Sequence, residues 1–209
     1  MADTYAYDRP IPGRYLDPVD LVWLATAKRL GLTVRRAPEV YACTDGQGTL
    51  TMSVRSELDP DDSVAQMVFH EVCHWLVNGR ETCHEQDWGF PLDWDEDWRE
   101  LACQRVQCAL ADQHGLRRLL ASTGSYRPYY DRLGDPMAPL DDSEAEQRIV
   151  AAARAGLARA GEAPWAGVLD GALAATGAIS RLVGPFLSAY ATDLADDDLP
   201  SIWAPHAEP

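Results

Sequence analysis

His70-Glu71-Val72-Cys73-His74 sets two imidazoles four residues apart with a carboxylate between them. Residues four apart on an α-helix share a face, one turn above each other. Both rings can then offer a nitrogen to one divalent cation, and Zn²⁺ is the ordinary cofactor for such a pair. Glu71 stands one residue on, so it points beside the cation, where it can accept a proton from a water that the metal activates. The chemistry such a string supports is metal-assisted hydrolysis of a peptide or amide bond, with Glu71 as general base.

A catalytic zinc usually has three protein ligands and one open position. The histidine pair supplies two. A continuation with a third histidine six residues after the second is missing, because Gly79 lies five residues past His74 and His84 lies ten past it. His84 stays an irregular alternative ligand. A glutamate on a following helix is the other solution, and Glu100 is the preferred candidate, with Glu96 one turn earlier as its rival. Positions 100, 103, 104 and 107 share a helical face. Cys103 is small enough to let the two helices approach, and Gln104 is placed to hydrogen-bond a ligand histidine.

The elements that must hold these residues are readable in outline. Asp17-Pro18 is a helix start, capping residue then proline, and Gly31 ends that helix. Leu32–Arg35, Val40–Cys43 and Thr49–Arg55 read as three short strands around the Asp45–Gly48 turn, a small and largely antiparallel sheet. The strand Thr49–Arg55 is expected to lie along the cleft and pair with an extended substrate. Asp59-Pro60 or Ser63 starts the histidine helix, which ends at Asn78-Gly79. Its apolar residues fall on nearly every side, the pattern of a helix buried in the middle of a domain. A second site helix is expected over about residues 95–113. Alanine-rich helices follow from Ser143, divided by Pro164 and Pro185. Between the site helices lies a tryptophan-rich loop, residues 88–98, that could line a pocket or pin the chain. Tyr126, Arg127, Tyr129, Tyr130 and His114 follow the second helix as possible cleft residues.

Composition bounds the rest. The 209 residues are 46% hydrophobic and 24% charged, an ordinary globular mixture. A net charge of −15 disfavours nucleic acid and anionic lipid as partners, leaving a peptide or protein substrate. No stretch reads as a signal peptide or a membrane span, so a cytoplasmic location is expected. The five cysteines contain no C-x-x-C pair and are expected to be thiols. Nothing in the chain specifies an oligomeric state.

H-E-x-x-H followed by the helical Glu100-Leu101-Ala102-Cys103-Gln104 resembles the gluzincin metallopeptidases. The order helix, short sheet, His helix, loop, Glu helix is most similar to their compact cytoplasmic branch, the ImmA/IrrE-like peptidases. The likeness covers about residues 17–113, and Gln104 stands where that pattern usually has Asp or Asn. It implies an α+β, mainly helical fold with a zincin-like catalytic unit over 1–140, carrying the three-stranded sheet and two active-site helices. A helical C-terminal extension, 141–209, would pack on this unit or bind a partner. It also implies zinc on His70, His74 and Glu100, with Glu71 as the base of a metallopeptidase. The competing reading is a non-catalytic interaction or regulatory protein with a structural or vestigial metal site.

Overall fold

A computed structural model describes residues 16–59, 61–90 and 98–187. Helix α1 (Pro18–Arg29) begins where the Asp17 carboxylate accepts from the backbone N–H groups of Val19 and Asp20, at 2.8 and 3.2 Å. Those donors have no intrahelical partner, and the cap satisfies them. Three strands follow: β1 (Thr33–Ala37), β2 (Ala42–Thr44) and β3 (Thr49–Ser53).

The sheet is mixed, and the expectation of a largely antiparallel one is corrected. Its order is β1-β3-β2, with β3 parallel to β1 and antiparallel to β2. The tight turn after Thr44 makes β2 and β3 a hairpin, whereas the chain from β1 reverses without pairing and leaves room for β3 between them. Strand β3 is therefore central, and β2 is an edge. Leu50 and Met52 of β3 are fully buried and place one sheet face on the helical core.

Helix α2 (Val64–Asn78) carries the histidines. Ser63 caps it by accepting from Gln66 N at 3.1 Å, and Gly79, at φ 101°, ends it in a conformation that favours glycine. Val68, Phe69, Val72, Cys73 and Leu76 are fully buried, so α2 is the central helix foreseen from its apolar circumference. Helix α3 (Trp98–Gln113) packs against it. The small Cys103 allows close approach, with its Sγ 3.6 Å from the carbonyl oxygen of Cys73.

Three more helices, α4 (Arg127–Arg132), α5 (Glu144–Arg159) and α6 (Val168–Leu187), complete the described chain. Buried side chains of α5 and α6, among them Ile149, Ala153, Leu169 and Leu173, join the same core as α2. Gly156 shows how closely α5 sits: a Cβ there would be 3.1 Å from Val106 Cγ2 and 3.2 Å from Val77 Cγ2. On the other side α6 meets α1, where the indole N–H of Trp23 donates to Thr176 Oγ1 at 3.1 Å. Pro185 lies inside α6 and does not divide it as expected. The fold is α+β and mainly helical, and no described helix is long and apolar enough to cross a membrane.

Candidate metal centre

Helix periodicity brings His70 and His74 onto one face of α2, and the packing of α3 presents Glu100 to that face. One ligand atom from each of the three lies within 4.8 Å of the others. Glu100 Oε2 is 2.8 Å from His74 Nε2, and Glu100 Oε1 is 3.4 Å from His70 Nε2. Glu100 is thus the third member among the described residues. His84 is exposed at the end of a 3-10 turn (Arg80–His84) and does not belong to the group. Glu96 lies outside the described residues.

Each member is held by a further side chain. Gln107 Oε1 lies 2.8 Å from His70 Nδ1, and Gln107 Nε2 donates to the carbonyl of Leu120 at 2.9 Å, which orients its amide. The bond leaves Nε2 of His70 facing Glu100. Gln104 donates from Nε2 to Glu100 Oε1 at 2.6 Å. This corrects the expected pairing of Gln104 with a histidine: both amides sit on the inner face of α3, but the one a turn further along meets the ring. Phe90 stacks on His74 with ring centroids 4.4 Å apart.

Glu71 is buried beside His74, with Oε2 4.0 Å from His74 Nδ1. The same oxygen accepts from the indole N–H of Trp88 at 3.2 Å. Trp88 and Asp87 both adopt left-handed backbone, at φ 56° and 48°, which costs roughly 1–3 kcal/mol for each such residue. Three contacts hold that turn: Asp87 Oδ1 accepts from Thr44 N at 2.8 Å, Trp88 O accepts from Asn78 Nδ2 at 2.7 Å, and Trp88 stacks on Trp75 at 4.9 Å. Of the tryptophan-rich loop, Trp88 is therefore both core and support of the site, while residues 91–97 lie outside the described residues.

The electrostatics make the histidine pair and Glu100 one unit. Burial alone would depress the pKa of His74, but the carboxylates of Glu100 and Glu71 outweigh it and lift it to about 9. Burial would raise Glu100, but His74 and His70 draw it down to about 2.

No protein-family model, curated protein or solved structure matches the chain.

The fit of a metal rests on the donors themselves. His74 Nε2 is buried, and its close neighbour Glu100 Oε2, at 2.8 Å, pairs with it by charge without good hydrogen-bond alignment. A buried polar atom left in that state is costly, and a cation shared with Glu100 and His70 would relieve it. Two imidazole nitrogens and a carboxylate oxygen are a donor set that suits zinc. A cleft of about 250 Å³ opens over the group, so a metal here would be reached from one side. Of the five residues after α3 named as possible cleft residues, Tyr126 lines it. Tyr129 and Tyr130 are buried in a separate small cluster, Arg127 pairs with Asp131, and His114 faces Asp170.

Proposed function

We propose that the protein is a zinc-dependent hydrolase of peptide or amide bonds, with a zincin-like unit of the gluzincin type. The observation that carries this reading is the convergence of His70, His74 and Glu100 at the floor of a cleft with the Glu71 carboxylate beside them. A bound zinc ion would supply Lewis acidity there, polarising a carbonyl and bringing the pKa of a water toward about 7. Nε2 of each histidine and a Glu100 oxygen would hold the ion, and Gln107 and Gln104 keep the ring of His70 and the Glu100 carboxylate turned inward. Glu71 takes the proton of the attacking water and passes it to the leaving nitrogen. The Trp88 N–H fixes one of its oxygens and leaves the other for that transfer.

The edge of the sheet supports a peptide as substrate. Strand β3 is paired on both sides, so the strand available to a substrate is β2 rather than Thr49–Arg55. Tyr41 O accepts from Ser53 N and Asp45 N donates to Thr49 O, so by alternation Ala42 turns its own N–H and C=O away from β3. Ala42 lines the cleft, and an extended backbone laid beside it would gain a strand partner. A structural zinc site closes with four protein ligands. Three ligands among the described residues, under an open cleft, favour the catalytic reading. The buried thiols Cys73 and Cys108 suit a reducing compartment such as the cytoplasm.

The test is Glu71→Gln. The variant is expected to bind zinc and fold as the parent does while losing about 10²–10⁴-fold in hydrolysis of a mixed internally quenched peptide set. Unchanged hydrolysis in the variant would contradict the assignment.

A further inference from the structure

Beyond the metal ligands the cleft runs along α2 toward its N-terminus, where Gln66 and Met67 line it. Gln66 precedes His70 by four residues, a rise of about 6 Å along the helix. This end of the cleft is thus within one side chain's reach of the ligands. The lining side chains Tyr41 and Thr123 are tied there to a third, Asp62. The hydroxyls of Tyr41 and Thr123 each donate to Asp62 Oδ1 at 2.7 Å, and they lie 3.1 Å from one another.

Two independent features of the lining point to one ligand chemistry. Gln66 is only 4% exposed, and its Oε1 is buried with no hydrogen-bond partner. An amide oxygen only accepts, so the partner it lacks is a donor. The second feature is charge. Asp59, Glu71 and Glu100 line the cleft, and none of the described lining residues is Lys or Arg. Asp59 is exposed, and its backbone N–H donates to Asp62 Oδ2 at 2.9 Å, which anchors the loop without engaging the Asp59 carboxylate. Around these polar groups Met67 and the ring of Tyr41 offer apolar surface that suits an aliphatic stem.

We propose that this end of the cleft is a subsite for a basic side chain of the substrate, whose stem lies on Met67 and Tyr41 and whose N–H donors reach Gln66 Oε1 and Asp59. The subsite rests on the hydrolase reading of the neighbouring centre and names what that centre selects. It also gives the buried Gln66 acceptor its partner, which arrives with the ligand. A glutamate side chain would bring two further oxygens to an acceptor and a carboxylate. A norleucine would fill the space and leave Gln66 Oε1 unpaired.

The experiment uses the zinc-loaded protein and acetylated peptide hydroxamates in which the residue next to the metal-binding group is lysine, norleucine or glutamate, in both orientations about that group. Binding is measured by calorimetry, with plain peptide amides of the same sequences titrated alongside so that selectivity is also read without the metal anchor. Lysine is expected to bind about tenfold tighter than norleucine, with glutamate weakest, and the lysine advantage should shrink as salt rises. Asp59→Asn, an exposed position, should cut the lysine advantage several-fold. Gln66→Met should remove much of the remainder while leaving the melting temperature unchanged or higher, because it deletes an unpaired buried acceptor. A merely structural Gln66 would show the opposite, a lower melting temperature with selectivity intact. Equal or tighter binding of norleucine, or a lysine advantage indifferent to both substitutions, overturns the subsite. Failure of the hydrolase reading shows separately, as lysine selectivity in peptides that the wild-type protein does not cleave.

Discussion

Gln107 Oε1 sits 2.8 Å from Nδ1 of His70, and this contact decides which ring nitrogen His70 can give to a cation. Acceptance from Nδ1–H puts the proton there and leaves the Nε2 lone pair toward Glu100. Gln107 is fully buried and its other end is tied to Leu120 O, so the amide has no alternative orientation that keeps both bonds. Gln107→Met, nearly equal in volume, should lower zinc affinity by about 10- to 100-fold with the helical circular-dichroism signal retained. Competition with a chromophoric chelator measures it.

Trp88 acts on the base rather than on the metal. Trp88→Phe keeps an aromatic ring against Trp75 but removes the N–H that holds Glu71 Oε2. Hydrogen bonds to charged groups are worth about 1.5–3 kcal/mol, so peptide turnover should fall by roughly tenfold or more. Zinc stoichiometry should remain that of the wild type. A matching loss of zinc would mean that Trp88 supports the ligands instead.

Stability depends on a buried cation on the outer side of α3. Arg105 is fully buried, pairs with Glu146 at the start of α5, and donates to Tyr129 Oη at 2.7 Å and to the carbonyls of Pro136 and Ala138 at 2.8 Å each. Arg105→Met strands the Glu146 carboxylate and three other acceptors, at a cost of about 3–5 kcal/mol. The double variant Arg105→Met/Glu146→Leu should recover a good part of that loss, because no uncompensated charge remains. Urea unfolding of the four proteins in the cycle reads the coupling.

The metal-free protein should show a pH profile set by the site. His74 has a folded pKa of about 9 against 6.5 for the unperturbed imidazole. Its contribution is fully present below pH 6.5 and is lost as pH rises through about 9. Glu100 is drawn to about 2 from 4.5, so its contribution is present above pH 4.5 and is lost as pH falls toward 2. The metal-free melting temperature should therefore be highest between these limits and decline from pH 6.5 to 9. Zinc must displace the His74 proton, so its apparent affinity should climb by about tenfold per pH unit across the same interval. Melts of chelator-treated protein that stay level or rise above pH 6.5 would contradict this.

Much of this arrangement was legible in the chain because it is local. Ser63, Gly79 and the all-round apolar pattern mark α2, and the four-residue spacing of His70 and His74 needs only helical geometry to become a shared face. Glu100 was reachable by counting along the next helix. The rest depends on partners distant in sequence. Strand pairing is not written in a strand's own residues, so the insertion of β3 between β1 and β2 could not be read from their turns. Gln104 and Gln107 share one face of α3, and which of them meets the ring is decided by how α3 is rotated against α2. The support of Glu71 by Trp88 needs two successive left-handed residues, at Asp87 and Trp88, a conformation that Asp tolerates and a bulky Trp rarely adopts. The aromatic loop was visible as unusual, and its role was not.

X-ray absorption at the zinc edge tests the central claim most directly, because it reads the atoms around the metal in the intact protein. Ligation by His70, His74 and Glu100 predicts a first shell of nitrogen and oxygen at about 2.0–2.1 Å, an outer-shell signature of two imidazoles, and no sulfur. That signature should fall to one imidazole in His70→Ala. A sulfur distance near 2.3 Å, three imidazoles, or no zinc taken up by the wild-type protein would contradict the proposed centre.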